Sequence, residues 1–315
     1  MPTNDRPTLS VILPSYGRQD ALCNTLADLF VQTHSPIEIL VIHQCPDPKH
    51  GGTQTLRQWA KDGKIRLFEP TFANAERARN LAIQEARGEI LLFLDDDLKL
   101  GPELVERHLH NYVEDPSLDG VAGQVLAPNQ SPTTELGSHC RWPHVGWYCF
   151  PLNYAVRTEA KNCPGGNTSI RRKTATAVGG FDEQFERTVF DDTDFSRRLS
   201  QHSCRMVFDP TASVIHLRVP LGGKRIEGQP SLWMDHFGWM THLYFWRKHY
   251  GLWKARHAFF WMVRHLIFRK AVLVRPHWFL SNLLHFWRGY REASRKLEEG
   301  PRYLQPFQQT FEVRG

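Results

Sequence analysis

Ile90-Leu91-Leu92-Phe93-Leu94, followed at once by Asp95-Asp96-Asp97, is the stretch on which the reading of this chain turns. An apolar run this short and uniform predicts a strand buried on both faces, as in a parallel sheet. In open α/β sheets, ligands bind outside the carboxyl ends of the strands, where the aspartates fall. Carboxylates held side by side raise one another's pKa unless a cation neutralises them. A hard divalent ion such as Mg²⁺ or Mn²⁺ suits them and commonly brings substrate phosphates with it. A solvated acidic turn would also accommodate the triplet, and the run alone does not separate the two readings.

Working outward, strands and helices alternate. Leu9 to Leu13 reads as a buried strand stopped by Pro14, and Asp20 to Gln32 follows with helical spacing. A strand over Ile37 to Ile42 ends at the turn signals Cys45-Pro46-Asp47-Pro48. A helix near Thr53 to Lys61, a strand at Ile65 to Phe68 and a helix over Glu76 to Ala86 come next. Gly88 supplies a C-cap region for the last of these. Such βαβ units predict a parallel, right-handed wound sheet. After Pro102 the pattern is mixed. A strand over Val121 to Leu126 precedes a loop-rich stretch carrying Trp142, Trp147 and Tyr148. Gly165-Gly166-Asn167-Thr168-Ser169-Ile170 leads into a helix around Lys173 to Val178, closed by Gly179-Gly180. Asp191-Asp192-Thr193-Asp194 opens another helix, where acids suit the N-terminal dipole and either Asp191 or Asp192 could simply cap it. Val214-Ile215-His216 closes a short strand, and Gly222-Gly223-Lys224-Arg225 reads as a mobile loop.

Composition narrows the class. The 315 residues are 41% hydrophobic, enough for one large α/β domain with an appendage. Six cysteines show no CxxC spacing, so reduced thiols are expected rather than a disulfide or zinc scaffold. The N-terminus lacks the apolar stretch of a signal peptide, and no window reaches the roughly 18 apolar residues of a spanning helix. A cytoplasmic location, with a membrane face as one option, is the expectation.

The pieces resemble glycosyltransferase family 2 across residues 8 to 217. They are Ser10 to Arg18, Ala78-Arg79-Asn80, Ala86 to Glu89, Phe93 to Asp97, Gly165 to Arg172, Gly179 to Glu183, Asp191 to Phe195 with Arg198, and His216. The resemblance implies a GT-A fold: a Rossmann-like, mostly parallel mixed sheet flanked by helices. It implies a catalytic domain over 1–230, with a nucleotide-sugar half to about 100 and an acceptor half beyond, and a helical C-terminal appendage over 231–315.

The implied activity is metal-dependent, inverting transfer of a sugar from a nucleoside-diphosphate sugar to a hydroxyl of a saccharide or lipid-linked acceptor, as in cell-surface polysaccharide synthesis. Carried over residue by residue, Asp95 would touch ribose, Asp97 would hold Mn²⁺ or Mg²⁺, and Asp96 would serve either job. His216 would meet the metal or diphosphate from the opposite side. Asp192 matches the general base, with Asp191 where Glu is more usual and acceptor-facing contacts are made. Pro14, Ser15, Tyr16, Arg18 and Arg79 match the donor pocket, and Gly166 and Asn167 the approach to the donor sugar. Trp142 and Trp147 are candidates for stacking on acceptor rings. The family usually has Asp after the second strand, where this chain has His43 and Gln44. Gln44 both donates and accepts, which leaves UDP, dTDP and GDP open as donor nucleotides. A nucleotidyltransferase and a non-catalytic nucleotide-sugar binder are the alternatives.

Residues 239 to 297 fall outside that resemblance. Between Arg247 and Lys296 stand twelve basic residues against one acid, Glu292. At helical spacing Leu252, Ala255, Phe259, Phe260, Met262, Val263, Leu266 and Ile267 share one face. Lys254, His257, Arg264, His265 and Arg269 share the other. A basic amphipathic helix suits an anionic membrane surface, and it equally suits packing on the catalytic domain. No nucleic-acid recognition motif accompanies the charge, so that partner is set aside.

Overall fold

The computed structural model describes residues 6–136, 151–160, 162–185, 190–220, 222–223, 235–264, 276–307 and 311–313, excepting the side chains of 252–259, 261–262, 276 and 278. The predicted alternation is present as β1 (Leu9–Tyr16), α1 (Gln19–Leu29), β2 (Glu38–Gln44), α2 (Gly51–Lys61), β3 (Arg66–Phe68), α3 (Ala75–Glu85) and β4 (Ile90–Leu94). There follow β5 (Leu98–Leu100), α4 (Leu104–Glu114), β6 (Gly120–Leu126), β7 (Thr158–Glu159) and β8 (Asn167–Arg171). Then come α5 (Arg172–Ala177), α6 (Asp191–Gln201), β9 (Met206–His216), α7 (His236–Met262) and α8 (Pro276–Glu299).

One mixed sheet runs β3-β2-β1-β4-β8-β6-β9-β5, with β7 paired to β9. The first four strands are parallel, β8 is antiparallel to both β4 and β6, and β9 is parallel to β6. The apolar runs are unbroken because each strand feeds two cores. Val11, Leu13, Val41, Leu92 and Leu94 face α1, α2 and α4, while Ile12, Leu40, Ile42, Leu91 and Phe93 face α3, α5 and α6.

Three sequence expectations need correction. Pro14 does not stop β1, which continues to Tyr16 beside β2. The ladder with β4 ends at Ile12, so the donor that proline lacks falls where no β4 partner remains. Gly88 is not a left-handed cap. α3 closes at Ala86, and Gly88 is needed because a Cβ there would meet the Ser10 backbone nitrogen at 2.6 Å. The stretch after Pro102, left without a helix, forms α4, whose buried Leu104, Val105, His108, Leu109 and Tyr112 do recur at helical spacing. Gly179 and Gly180 close α5 at φ +84° and +65°, as expected.

The C-terminal segment is tied into this core. α7 bends at Gly251 (φ +66°), and its first half buries Trp239, Met240, Tyr244 and Phe245. Tyr244 stacks edge-on against Phe185 at 5.1 Å, and α8 packs back through Phe286 on Trp239, also at 5.1 Å. Beyond α8 the chain returns to the far edge of the sheet. There Glu69 N donates to Phe311 O (2.9 Å), and Val313 N donates to Leu67 O (2.8 Å). The predicted amphipathic face over 252–269 lies outside the described side chains apart from Phe260, Val263 and Arg264. No described helix is long and apolar enough to cross a membrane.

Candidate active site

β4 delivers the acidic triplet, and its members then part. Asp95 stays half-exposed at the sheet's edge. Asp96 turns inward, accepting from Ser15 Oγ (2.7 Å) and Arg18 Nη1 (3.1 Å). Burial pushes its carboxyl up to about 6, against the lowering influence of Arg18 and Ser15. Asp96 thus braces the end of β4 against Ser15 and Arg18. The Ser15 and Arg18 side chains, both expected in the donor pocket, form the other half of that brace.

Asp97 is also buried, but one oxygen is poised. Its Oδ2 accepts from Val219 N (2.9 Å) and lies 3.3 Å from Arg18 Nη1. Its Oδ1 receives no well-directed hydrogen bond and lies 3.0 Å from His216 Nε2. Antiparallel pairing of β5 with β9 sets Leu98 opposite His216 and so brings the imidazole there. Burial alone would raise the Asp97 pKa; His216, Arg18 and the Val219 N–H outweigh it and hold the carboxyl below its ordinary value. Ligand atoms of Asp95, Asp97 and His216 lie within 4.8 Å of one another. Two carboxylates and an imidazole, with one buried oxygen lacking a directed donor, fit a divalent cation.

The other half of the site arrives on the turn before β8 and on α6. A Cβ on Gly166 would sit 2.3 Å from Asp95 Oδ2, and one on Gly165 would sit 3.1 Å from Arg79 Nη2 and 3.9 Å from Asp192 Cβ. The paired glycines thus let Asp95, Arg79 and Asp192 close around one turn. Gly166→Ala is expected to displace Asp95 and lower turnover by about 10²-fold, the scale of an ångström-sized misplacement. Steady-state kinetics beside a circular dichroism spectrum would check it.

Arg79 is buried and donates to Asp191 Oδ2 at 2.8 Å, with Asp95 Oδ1 3.8 Å away. Asp191 is buried as well, and the pair anchors α6 to α3. Asp192 keeps partial exposure, and its Oδ1 accepts from Thr193 N (2.7 Å). Neither aspartate caps α6. The N-cap is Phe190, in the left-handed region at φ +91° with no side-chain cap bond. A bulky residue there is strained, and such strain concentrates at functional turns.

Two further residues expected in the donor pocket have their amides hydrogen-bonded inside the protein. Asn167 is fully buried, with Nδ2 donating to Gln124 O and Ala212 O, and Oδ1 against His108 Nε2 at 2.9 Å. Gln44 is buried too: its Oε1 accepts from Asn74 N (2.7 Å) and its Nε2 reaches Ser15 O (3.4 Å). Both amides are used up by the fold, because the strands around them end in backbone groups that need partners. Pro14 is buried within β1, whereas Tyr16 stands exposed at its end. Trp142, Trp147, Tyr148, Lys224 and Arg225 lie outside the described residues. Gly222 and Gly223 approach Tyr16 and Arg18 at positive φ, with Gly223 N donating to Tyr16 O at 2.7 Å.

Sequence reasoning missed the group behind α6. Asp194 accepts from Arg198 Nε (2.9 Å), Lys248 Nζ (2.5 Å) and His249 Nε2 (2.7 Å). Lys248 also reaches Asp182 Oδ2 at 2.7 Å. Burial would raise Asp194; His249, Lys248 and Arg198 together hold it far below the carboxylate range.

The profile described as Glycosyl transferase family 2 matches residues 10–178, more than half of the chain. The chain belongs to glycosyltransferase family 2. As a family 2 glycosyltransferase it is similar to the O-antigen biosynthesis protein RfbC of Myxococcus xanthus, 25% identical over 226 residues, covering 68% of this chain and 18% of RfbC. It is 26% identical over 144 residues to WfgD of Escherichia coli, the UDP-Glc:alpha-D-GlcNAc-diphosphoundecaprenol beta-1,3-glucosyltransferase, covering 42% of this chain and 56% of WfgD. The chain thus spans less than two thirds of either relative. Its fold is GT-A, matching the mannosyltransferase PcManGT from Pyrobaculum calidifontis in complex with GDP-Man and Mn²⁺. That match has a TM-score of 0.56 at 16% identity and covers 94% of this chain and 77% of that one.

Proposed function

We propose that this glycosyltransferase moves a sugar from a nucleoside-diphosphate sugar to a hydroxyl of a saccharide or lipid-linked acceptor with inversion, using a divalent ion. The observation that carries the reading is the convergence of Asp95, Asp97 and His216 on one side of the Gly165-Gly166 turn and Asp192 on the other.

Asp97 Oδ1, Asp95 and His216 would hold the ion, Mn²⁺ or Mg²⁺. When bound, it supplies Lewis-acid stabilisation of the charge that develops on the departing diphosphate. Arg18, buried against Asp96 and Asp97, keeps the acidic strand end in place. Tyr16 offers an exposed ring for the nucleotide base. Asp192 takes the proton of the attacking hydroxyl, and because a single displacement needs no covalent intermediate, the anomeric configuration inverts. Arg79, held by Asp191, fixes the start of α6 and with it the position of Asp192. The diphosphoundecaprenol-linked acceptor in the name of WfgD, together with the basic C-terminal helices, supports work at the inner face of a membrane.

Thermal unfolding with UDP, GDP, dTDP and CMP, each with Mn²⁺, with Mg²⁺ and with EDTA, tests the donor site. A nucleotide at about 100 times its Kd adds roughly 2.7 kcal/mol to stability, and EDTA should remove that gain. A shift with one diphosphate names the donor class. A folded protein unmoved by every nucleotide would refute the assignment.

A further inference from the structure

We propose that the outer face of α8 is the surface on which this protein lies against an anionic lipid leaflet. This rests on the membrane-face reading above and assigns it to particular residues. Leu280, Leu283, Leu284 and Trp287 recur at helical spacing and form one stripe, with Leu280 61%, Leu284 60% and Trp287 57% exposed. The opposite side of α8, marked by Asn282, Gly289, Ala293 and Lys296, is buried against α7 and the core. Helix formation and packing therefore do not require leucines and a tryptophan on the outer face. The stripe needs an occupant of its own, since soluble proteins keep such contiguous apolar patches small unless they bind something.

Charge names the occupant. One turn on, the same outer face carries exposed Arg288 and Arg291, and the end of α7 adds Phe260 (65% exposed) and exposed Arg264. Among the described residues none of these three arginines has a carboxylate within ion-pair distance, whereas Arg295 is paired with Glu299. The Trp287 and Tyr290 rings lie nearly parallel at 6.0 Å, at the border between the leucines and the arginines. Apolar side chains flanked by amphipathic rings and unpaired arginines match the layering of acyl chain, interface and anionic headgroup. A second copy of the chain fits less well. A two-fold interface with the helices parallel would bring Arg288 and Arg291 of both copies together, and an antiparallel one would set those charges over the other copy's apolar stripe; both oppose association. The proposed contact lies in the interface plane, with α8 along the leaflet surface.

The test is flotation of the full chain with phosphatidylcholine vesicles, with and without phosphatidylglycerol. It compares the wild type, Leu284→Ser/Trp287→Ser and Arg288→Glu/Arg291→Glu. The substituted side chains are exposed, and circular dichroism with nucleotide-induced thermal shifts verifies each fold and donor site. The wild type should float with phosphatidylglycerol vesicles and remain behind with phosphatidylcholine alone. Each apolar side chain withdrawn from lipid should weaken partitioning by about tenfold or more, and each arginine by about fivefold. Wild type that stays in the soluble fraction, or variants that float unchanged, would overturn the proposal. So would a wild-type dimer in sedimentation velocity that Leu284→Ser/Trp287→Ser dissociates while flotation persists. Nucleotide shifts without flotation would sink this inference alone, and flotation without nucleotide shifts would sink the donor-site reading alone.

Discussion

Asp192→Asn is expected to reduce sugar transfer by about 10²–10⁴-fold, the usual worth of a positioned general base, while nucleoside-diphosphate binding survives. The substitution is nearly isosteric, and an asparagine Oδ1 can still accept from Thr193 N, so the first turn of α6 keeps its local bond. It removes the ability to take a proton, together with one charge near Arg79. The neighbouring Asp191 gives the contrast. It is buried on Arg79, so Asp191→Asn leaves a buried guanidinium undercompensated and should lower stability as well as activity. Turnover with the cognate donor beside calorimetric titration of the nucleotide separates the two. Near-normal turnover of Asp192→Asn would show that the base lies elsewhere.

The second large effect concerns stability. Lys248→Met should cost about 3 kcal/mol, the lower end of what is lost when one partner of a buried ion pair is removed. Lys248 bridges Asp194 and Asp182, whose side chains are fully buried. Without it both carboxylates keep some support: Arg198 and His249 on Asp194, and Tyr244 on Asp182. That residual bonding is why the lower end applies. Arg107→Ala, which removes an exposed pair with Glu103, serves as the control and should change stability by no more than about 0.5 kcal/mol. Equal urea midpoints for the two variants would mean that the buried bridge contributes nothing beyond a surface pair.

Comparison of these residues shows where sequence reasoning reaches and where it stops. β1, β2 and β4 were legible because a strand buried on both faces has no choice but an apolar run, and the helices between them carry the matching period. The acidic end of β4, the Gly165-Gly166 turn and the Asp191-Asp192 pair were legible as local patterns of charge and glycine. β8, entering antiparallel, carries no strand signal, because its polar Asn167 and Ser169 are satisfied by His108 and Tyr112 from α4, and Thr168 by Pro164 O. Nothing in the local sequence announces those partners.

The division of roles within each motif had the same character. Asp95, Asp96 and Asp97 are chemically identical, and only Ser15, Arg18 and His216, brought in from β1, the start of α1 and β9, make Asp96 a brace and leave Asp95 and Asp97 as candidate ligands. Gln44 and Asn167 have side chains suited to a ligand, yet the fold used them first. Lys248, 54 residues from Asp194, counted in the sequence merely as part of a basic excess. The chain's own order of apolar runs, glycines and acids thus determined the α/β fold, the position of the site at the carboxyl ends of the strands and the glycosyltransferase family. Tertiary structure alone decided which polar groups face the site and which are consumed inside, because hydrogen bonds and burial depend on neighbours remote in sequence, whereas local periodicity does not.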